Sequence, residues 1–495
     1  MLEALATAWG YLGHVNVILL IFLGCVIGLV FGALPGLGGV VALAIMLPFT
    51  YGWEPMAAMF FFAAIMGAVP FGGSISAILI NTPGTAPNAA TCFDGYPMAQ
   101  RGEGGKALGI SATASGLGAI FGLVVLLILI PVVRQVIMLF GPPEFLMLVL
   151  FGLVTIAFAA RGNMLRGLIS GGLGIFISLI GYSSVFGVLR FNFGSEFLWD
   201  GLRLVPFLIG IFAISELINL SVRGGIIAGE RMPGKLGGVL DGAKEVFRNK
   251  LCFFRSSAIG TTIGLIPGVG GTVANFLGYV AAMQTSKHRE LFGKGNPEGV
   301  VASESSNNAK DGGALLPTIA FGIPGSAEMA VLLGAFVLHG LVPGPIFLRD
   351  QLDIVFALIL GLLLSNIIAS TFGLIAGNFL ARLTTVRVSY IIPIVLVVCL
   401  VGSFADRGNL WDVAVALVAG IFGYALVKSG FSTICLVIGY ILGVIAERAF
   451  HMSLMISYGS YAIFFTQPIS LALFILIIFV LLLPFIGRAR AKGRS

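Results

Sequence analysis

The sequence contains very little charge. Only 10% of its 495 residues are Asp, Glu, Lys or Arg, whereas 58% are hydrophobic and the mean hydropathy is +1.06. Soluble proteins carry about 25% charged residues, and a soluble fold has too little interior to bury so much apolar surface. We therefore expect an all-α polytopic membrane protein with about 10–14 transmembrane segments.

Other scarcities narrow the class of function. The five cysteines and four histidines are scattered, without the spacing of a disulfide framework or a metal site. No zinc-protease motif, nucleophile elbow or nucleotide-binding P-loop is present. We therefore expect no enzymatic activity, no cofactor and no metal beyond Na⁺, with energy from a Na⁺ or H⁺ gradient or from another subunit. The net charge of +7 collects at membrane edges, which favours contact with membrane lipid and not with nucleic acid.

Basic residues mark two connections of the chain. Residues 222–255 form a long basic connection and residues 488–495 a basic tail, while the first fourteen residues contain no Lys or Arg. The positive-inside rule then predicts that both basic segments are cytoplasmic and that the N-terminus is periplasmic. We expect a first repeat over residues 1–221 and a second over residues 256–487.

The internal repeat is the strongest pattern in the sequence. The stretch Gly32–Ala42 returns at Gly264–Ala274 with seven of eleven positions identical. Each copy is followed by a second Pro-Gly break, at Asn81–Thr85 and at Gly322–Ala327. Because the two copies begin on opposite sides of the membrane, they are expected to form inverted repeats with broken or re-entrant helical hairpins. Such pairs of interrupted segments indicate a secondary transporter with its site near the midplane.

The breaks are the candidate binding sites. Proline removes a backbone donor and glycine relaxes the backbone, so free N–H and C=O groups become available to anions and cations. The candidate substrate-binding residues are Gly36, Gly38, Ser74, Asn81, Thr82, Gly84, Thr85, Gly268, Gly270, Asn307, Asn308, Pro324, Gly325 and Ser326. The candidate ion-coupling residues are Ser76, Asn88, Asp94, Ser305, Thr318 and Glu328. For each hydroxyl, a helix-packing role is the alternative.

Glu328 is the most costly of these residues to place in a membrane. It lies one helical turn after the second break, and a carboxylate at membrane depth costs about 2.5–3.5 kcal/mol on insertion scales. This cost favours a role in binding a proton or a cation. For Lys310 and Asp311, an interfacial position is the alternative to a place in the membrane.

Seven motifs, in this order, carry a resemblance to a known family. They are Gly32–Gly39, Gly72–Thr85, Phe93–Met98, Ile266–Gly271, Ala302–Ala309, Gly312–Thr318 and Gly322–Ala327. From about Gly24 to Ile486 the chain resembles the large membrane subunit, a TctA-type permease, of the tripartite tricarboxylate transporter family. The resemblance implies uptake of citrate-like or related carboxylates across the bacterial inner membrane by symport with Na⁺ or H⁺. It also implies two partners, a small four-helix membrane subunit and a periplasmic substrate-binding protein.

Transport by alternating access is the leading hypothesis, with an elevator-like movement of the broken hairpins against a scaffold of more regular spans. A passive carboxylate channel is one alternative, although a channel would need a polar stripe through several spans. A membrane scaffold subunit that does not transport is another.

Overall fold

The computed structural model describes residues 1–159, 164–183, 185–223, 237–383, 386 and 388–492. In the first part of the chain the α-helices are α1 Leu2–Tyr11, α2 Val15–Ala33, α3 Gly38–Met46, α4 Pro55–Ile80, α5 Ala89–Met98, α6 Gly104–Ile137, α7 Pro142–Ala159, α8 Met164–Ser178, α9 Leu204–Leu208 and α10 Ser215–Arg223. A short hairpin of β1, Gly181–Tyr182, and β2, Leu189–Arg190, follows α8. π-Helical stretches at Ala99–Glu103 and Ile209–Ile214 join α5 to α6 and α9 to α10.

The second part of the chain is also helical. Its α-helices are α11 Val239–Arg248, α12 Lys250–Gly264, α13 Gly270–Thr285, α14 Pro297–Phe321, α15 Ala327–Leu338, α16 Pro345–Asp350, α17 Leu352–Leu383, α18 Val388–Ala405, α19 Leu410–Lys428, α20 Thr433–Ile456, α21 Ile463–Thr466 and α22 Pro468–Lys492. Short 3₁₀ segments lie at Leu47–Thr50, Ala86–Asn88, Glu196–Leu198 and Arg289–Leu291.

The helices confirm the predicted fold class, an all-α polytopic membrane protein. Among the described residues, seven helical stretches are long and apolar enough to cross a membrane: α2, α4, α5 with α6, α9 with α10, α17, α19 and α20. Shorter apolar helices add to these at Gly38–Thr50, Pro142–Phe158, Met164–Ser178, Ala327–Leu338, Ser389–Ala405 and Pro468–Leu483.

The division into halves and the orientation stay predictions. The basic connection, residues 222–255, lies partly outside the described residues, and so does the basic tail, residues 488–495.

The buried helices α4 and α14 each pack against helices from both parts of the chain. Helix α2 packs on α4, and α12 packs on α14. Helix α4 also packs on α17, which in turn contacts α1. Helix α14 also packs on α6, which in turn contacts α11. Each of the long buried helices α4 and α14 is therefore enclosed by one helix from its own part of the chain and one from the other part.

Glycines allow the closest of these contacts. A Cβ atom added at Gly32 of α2 would lie 2.3 Å from the carbonyl oxygen of Val69 in α4. One added at Gly264 of α12 would lie 2.3 Å from the carbonyl oxygen of Lys310 in α14. Small residues let membrane helices approach to backbone contact, so the repeated Gly-rich motifs dock each buried helix in the same way.

Both buried helices end in a left-handed residue at the predicted breaks. Asn81 follows α4 with φ 54° and ψ 28°, and Gly322 follows α14 with φ 68° and ψ 19°. The chain then becomes extended at Thr85 (φ −127°, ψ 158°) and at Ser326 (φ −148°, ψ 174°) before the next helix begins. The chain is thus interrupted twice, at the same points of two similar motifs.

The remaining helices form two further groups. Helices α7 and α8 pack with α20, and α22 packs on α7. Helices α18 and α19 pack against α10 and the π-helical stretch Ile209–Ile214. The first group contacts α15, which follows the second break, through α20, and the second group contacts α3 through α18.

Candidate functional site

A small cavity, which we call the break cavity, lies where both helix breaks meet the two buried helices. Its lining consists of Met66, Val69, Pro70, Thr85, Pro87, Asn307, Lys310, Asp311 and Glu328. The cavity has a volume of about 10 Å³, and a space of this size holds about one water molecule. A ligand of several atoms can therefore enter only after the surrounding elements move apart.

Most of the lining residues occupy corresponding positions of the two similar motifs. In four pairs, the second residue follows the first by the same number of positions as Pro324 follows Pro83: Met66 with Asn307, Val69 with Lys310, Pro70 with Asp311, and Pro87 with Glu328. The first members form an apolar wall, and the second members form a polar wall. Corresponding positions of two similar motifs thus face one cavity with opposite chemistry.

The polar wall contains a tight ion pair. The Nζ atom of Lys310 lies 2.5 Å from Oδ1 of Asp311, and the two residues are only 4% and 5% exposed. Glu328 lines the same cavity and is half-buried. An ion pair removed from water is held by Coulomb attraction that solvent screens weakly, so the charges of this wall act strongly on anything in the cavity.

Asn307 is the residue that distinguishes this site from ordinary packing. It is 1% exposed, and neither its Nδ2 nor its Oδ1 atom has a hydrogen-bond partner within the described part of the chain. An unpaired buried polar group costs about 1–3 kcal/mol. A ligand that accepts from Nδ2 and donates to Oδ1 would recover this cost.

A glycine from each early break lies close to residues that line the cavity from both parts of the chain. A Cβ atom added at Gly39 would lie 3.3 Å from Cγ of Glu328. One added at Gly271 would lie 2.7 Å from Cε of Lys310 and 3.0 Å from Cγ of Pro87. The glycines predicted from the sequence are their neighbours Gly36, Gly38, Gly268 and Gly270, and these two were not predicted. The third glycine of each Pro-Gly-x-Gly-Gly motif was the available signal.

The glycines that were selected have backbone roles. Positive φ angles occur at Gly36 (92°), Gly38 (57°), Gly268 (75°) and Gly270 (72°), where side chains are disfavoured. A Cβ atom at Gly268 would also lie 2.0 Å from Cγ1 of Ile156 in α7. These residues form the turns before α3 and α13 and do not line the break cavity. Their contact with substrate stays a prediction.

The residues predicted at the first break lie at different depths. Asn81 is exposed at the end of α4, and the Thr82 hydroxyl donates to the carbonyl of Ile80 at 3.3 Å. A Cβ atom at Gly84 would lie 1.8 Å from the carbonyl oxygen of Gly32. Only Thr85 of this group lines the cavity.

At the second break, the predicted residues hold the break together. The N–H of Gly325 donates to the Thr318 hydroxyl at 3.3 Å, and the Ser326 hydroxyl accepts from the N–H of Met329 at 3.3 Å. Pro324 and Gly325 are buried, and none of these residues lines the cavity. The structure thus brings Glu328, one turn further on, to the cavity in their place.

Asn308 lies beside Asn307 but faces elsewhere. Its Nδ2 atom donates to Oδ1 of Asn366 in α17 at 2.6 Å, which ties the buried helix α14 to its neighbour. Its Oδ1 atom has no partner among the described residues. Asn308 is absent from the lining of the break cavity.

A second polar centre surrounds Glu304 of α14, a residue that was not predicted, and it contains the predicted substrate-binding residue Ser74. This Glu304 cluster consists of the carboxylate and four hydroxyl donors, all fully buried. The donors are Ser74 (2.8 Å to both carboxylate oxygens), Thr91 (2.5 Å to Oε1), Ser111 (2.9 Å to Oε2) and Ser115 (2.8 Å to Oε2). One carboxylate therefore joins α4, α5, α6 and α14. The signal for it was a lone glutamate within the six polar residues from 303 to 308.

A chain of hydrogen bonds connects the two polar centres. The hydroxyl of Thr85 donates to Oδ1 of Asn88, and Nδ2 of Asn88 donates to the Ser74 hydroxyl at 2.8 Å. Ser74 in turn contacts Glu304. Asn88, a predicted ion-coupling residue, thus lies between the cavity lining and the Glu304 cluster.

Three other predicted ion-coupling residues donate hydrogen bonds to backbone carbonyls of their own helices. Ser76 donates to the carbonyl of Gly73 at 3.0 Å and Ser305 to that of Ala302 at 3.4 Å, as helix hydroxyls commonly do. Thr318 makes the contact with Gly325 described above and also donates to its own helix. Their role in coupling stays a prediction.

Asp94 of α5 lies beside the N-terminal end of α14 and does not line the break cavity. Its carboxylate accepts hydrogen bonds from the Tyr279 hydroxyl and from the N–H groups of Gly295 and Asn296, each at 2.8 Å. These bonds fix α5 to α13 and to the chain entering α14. Of the six predicted ion-coupling residues, Glu328 lines the break cavity.

Comparison with known proteins agrees with this architecture. Residues 18–438 match the tripartite tricarboxylate transporter TctA family. The chain belongs to this family. An Agrobacterium vitis relative of this TctA-family protein, described as an uncharacterized 52.8 kDa protein in the TAR-I ttuC' 3' region, is 32% identical over 476 residues, 95% of this chain and 94% of the relative. A shorter one from the TAR-II ttuC' 3' region is 30% identical over 233 residues, 47% of this chain and 96% of the relative.

For a TctA-family membrane component, the break cavity has suitable chemistry. It combines one ammonium group, an unpaired amide and two carboxylates with an apolar wall. Lys310 and Asn307 can donate to an anion, while Asp311 and Glu328 can accept from a proton donor or contact a cation. The lining therefore offers hydrogen-bond donors for an anionic group and oxygen atoms for a cation.

Proposed function

We propose that this chain is the large permease subunit of a binding-protein-dependent system that takes up a tricarboxylate or related carboxylate. In this proposal it works in the bacterial inner membrane as a secondary transporter coupled to Na⁺ or H⁺. The observation that carries the proposal is Asn307, an unpaired buried amide beside the Lys310 ammonium in a cavity between two helix breaks.

Substrate binding is proposed to use the donors of the polar wall. A carboxylate placed in the opened cavity would accept from Nζ of Lys310 and from Nδ2 of Asn307. Charge-assisted hydrogen bonds of this kind are about twice as strong as neutral ones. Glu328 and Asp311 are then available to hold the coupling ion close to the substrate, which would link the binding of the two.

Alternating access is proposed to arise from two inverted repeats. Two observations support this: equal glycine contacts dock α4 and α14, and the packing partners exchange between the two parts of the chain. A pair of buried helices held in equivalent ways can tilt or slide with the cavity between them. The outer helices α7, α8, α18, α19 and α20 would serve as the scaffold of an elevator-like movement.

The proposal includes a periplasmic N-terminus, a cytoplasmic C-terminus and two partners, a small four-helix membrane subunit and a periplasmic binding protein. The binding protein would supply high affinity, so that the permease site can bind weakly enough to release inward. The break cavity, about 10 Å³, is too small to hold a carboxylate, so passage of the substrate would require the surrounding helices to move.

Uptake into proteoliposomes tests this function. The full chain, reconstituted with candidate partner proteins from its gene neighbourhood, is supplied with labelled carboxylates while Na⁺ and proton gradients are varied separately. We expect saturable uptake that one of the two gradients drives and that empty liposomes lack. Flux that rises linearly with concentration and ignores both gradients would show a passive channel instead.

A further inference from the structure

We infer that the break cavity selects a substrate with a single carboxylate and a hydrocarbon body, and discriminates against di- and tricarboxylates. This inference rests on the proposed transport function and narrows its substrate, among tricarboxylates and related carboxylates, to monocarboxylates with a hydrocarbon body. It comes from the contrast between the polar wall and the apolar wall, which occupy corresponding positions of the two parts of the chain.

The charges of the lining limit how many carboxylates a bound substrate can carry. Among the described residues of the lining, Lys310 is the only cationic one, and it lies 2.5 Å from the Asp311 carboxylate. Glu328 adds a second carboxylate to the same wall. One substrate carboxylate can share the Lys310 ammonium. A second or third would have no cation to pair with and would face the two acidic side chains in a space where water screens poorly.

The described residues of the apolar wall offer no free hydrogen-bond donor to a second carboxylate. Met66 and Val69 are 4% and 3% exposed, and Pro70 and Pro87 complete that side. Neither proline has a backbone N–H to donate. The hydroxyl of Thr85 is already bonded to Asn88. A carboxylate placed here would lose its hydration without gaining hydrogen bonds, whereas a hydrocarbon chain or ring would be well accommodated.

The two walls together fix an orientation. The carboxylate points to Lys310 and Asn307, and the body of the substrate lies against Met66 and Val69. Gly271 keeps this arrangement open, because any side chain there would displace the Lys310 stem or Pro87. The site therefore recognises one charged end and one apolar end of the same molecule.

Direct binding to the purified full chain in lipid nanodiscs tests the inference without partner proteins. The probes are acetate, hexanoate, 3-phenylpropanoate, succinate and citrate, measured by calorimetry at one pH. We expect hexanoate and 3-phenylpropanoate to bind about tenfold tighter than succinate or citrate. Succinate or citrate binding as tightly as either of them would overturn the inference and leave carboxylate transport intact. Binding of none of the five would overturn the proposed function as well.

A single substitution separates the apolar wall from general packing. Val69→Thr keeps the shape of the side chain and replaces one methyl group by a hydroxyl. We expect the affinity for hexanoate to fall about fivefold and that for acetate to change less than about twofold, because acetate has almost no hydrocarbon body. Val124→Thr, the same change at a position of α6 that is 47% exposed, is the matched control. Equal losses for acetate and hexanoate in Val69→Thr would contradict the proposed orientation.

Discussion

Two polar centres on the same helix differ in whether their hydrogen bonds are complete. Glu304 and Asn307 are both buried in α14, less than one helical turn apart. The Glu304 carboxylate receives hydrogen bonds from four hydroxyl groups, whereas the Asn307 amide has none among the described residues. The first centre is complete within the described residues, whereas the second keeps a donor and an acceptor available for a ligand.

This difference separates polar residues that hold the protein together from those that bind. A buried polar group is tolerated when the chain itself satisfies it, and its removal then leaves several partners unpaired. A buried polar group without partners destabilises the empty protein, so its removal should cost binding and not stability. Substitutions in the Glu304 cluster should therefore lower stability most, and substitutions around the break cavity should lower carboxylate binding.

Replacing the Glu304 carboxylate should have the greatest effect on folding. Glu304→Ala leaves four buried hydroxyl donors without their acceptor and disconnects α4, α5, α6 and α14. We expect a loss of about 3 kcal/mol or more in stability, with poor recovery of monodisperse protein in detergent. Thermal unfolding followed by size-exclusion chromatography measures it. Ser111→Ala, which removes one donor of the four, should cost about 1 kcal/mol; equal midpoints for Glu304→Ala and the native chain would contradict the structural role.

Substitutions in the Lys310–Asp311 ion pair should change protein stability and carboxylate binding independently. Lys310→Gln leaves Asp311 as an unpaired buried charge, which costs about 3 kcal/mol in comparable cases. The double variant Lys310→Gln, Asp311→Asn removes both charges and should recover most of this stability while still binding carboxylates about 100-fold more weakly. Calorimetry with hexanoate and thermal unfolding give the two quantities. Native-like binding in the stable double variant would exclude Lys310 as the carboxylate partner.

Neighbouring glycines should respond differently although the substitution is the same. In Gly271→Ala the new Cβ lies 2.7 Å from Cε of Lys310, so the ammonium must shift and carboxylate binding should fall about tenfold. In Gly270→Ala nothing lies within 4 Å, but φ is 72°, so backbone strain should lower stability by about 1 kcal/mol and leave binding nearly unchanged. Identical effects of the two variants on both measurements would exclude a role for Gly271 in keeping the cavity open.

Much of the fold could be predicted from the sequence, because its signals are local. Apolar runs of sufficient length indicate spans, and Pro-Gly pairs mark the breaks that the structure has at Asn81 and Gly322. Asn307 was predicted from the run of six polar residues that contains it, and Glu328 from the cost of a carboxylate at membrane depth, and both line the cavity.

The rest depended on contacts between distant residues. Glu304 finds its donors in Ser74, Thr91, Ser111 and Ser115, about 200 positions earlier in the chain, and no spacing rule connects them. The pairing of Met66 with Asn307 was equally hidden, because the two side chains have nothing in common although their positions correspond. Gly39 and Gly271 are distinguished from their neighbours only by what a Cβ atom would meet.

The most direct test of the central claim is to compare Asn307→Ala with Asn275→Ala by measuring hexanoate affinity and the unfolding midpoint of each. Asn275 is a fully buried asparagine whose Nδ2 donates to the carbonyl of Pro87 at 2.5 Å and whose Oδ1 accepts from Ser306 at 3.1 Å. We expect Asn307→Ala to bind hexanoate about tenfold more weakly with an unchanged or raised midpoint, and Asn275→Ala to lower the midpoint. A lowered midpoint with native affinity in Asn307→Ala would contradict the assignment of the break cavity as the substrate site.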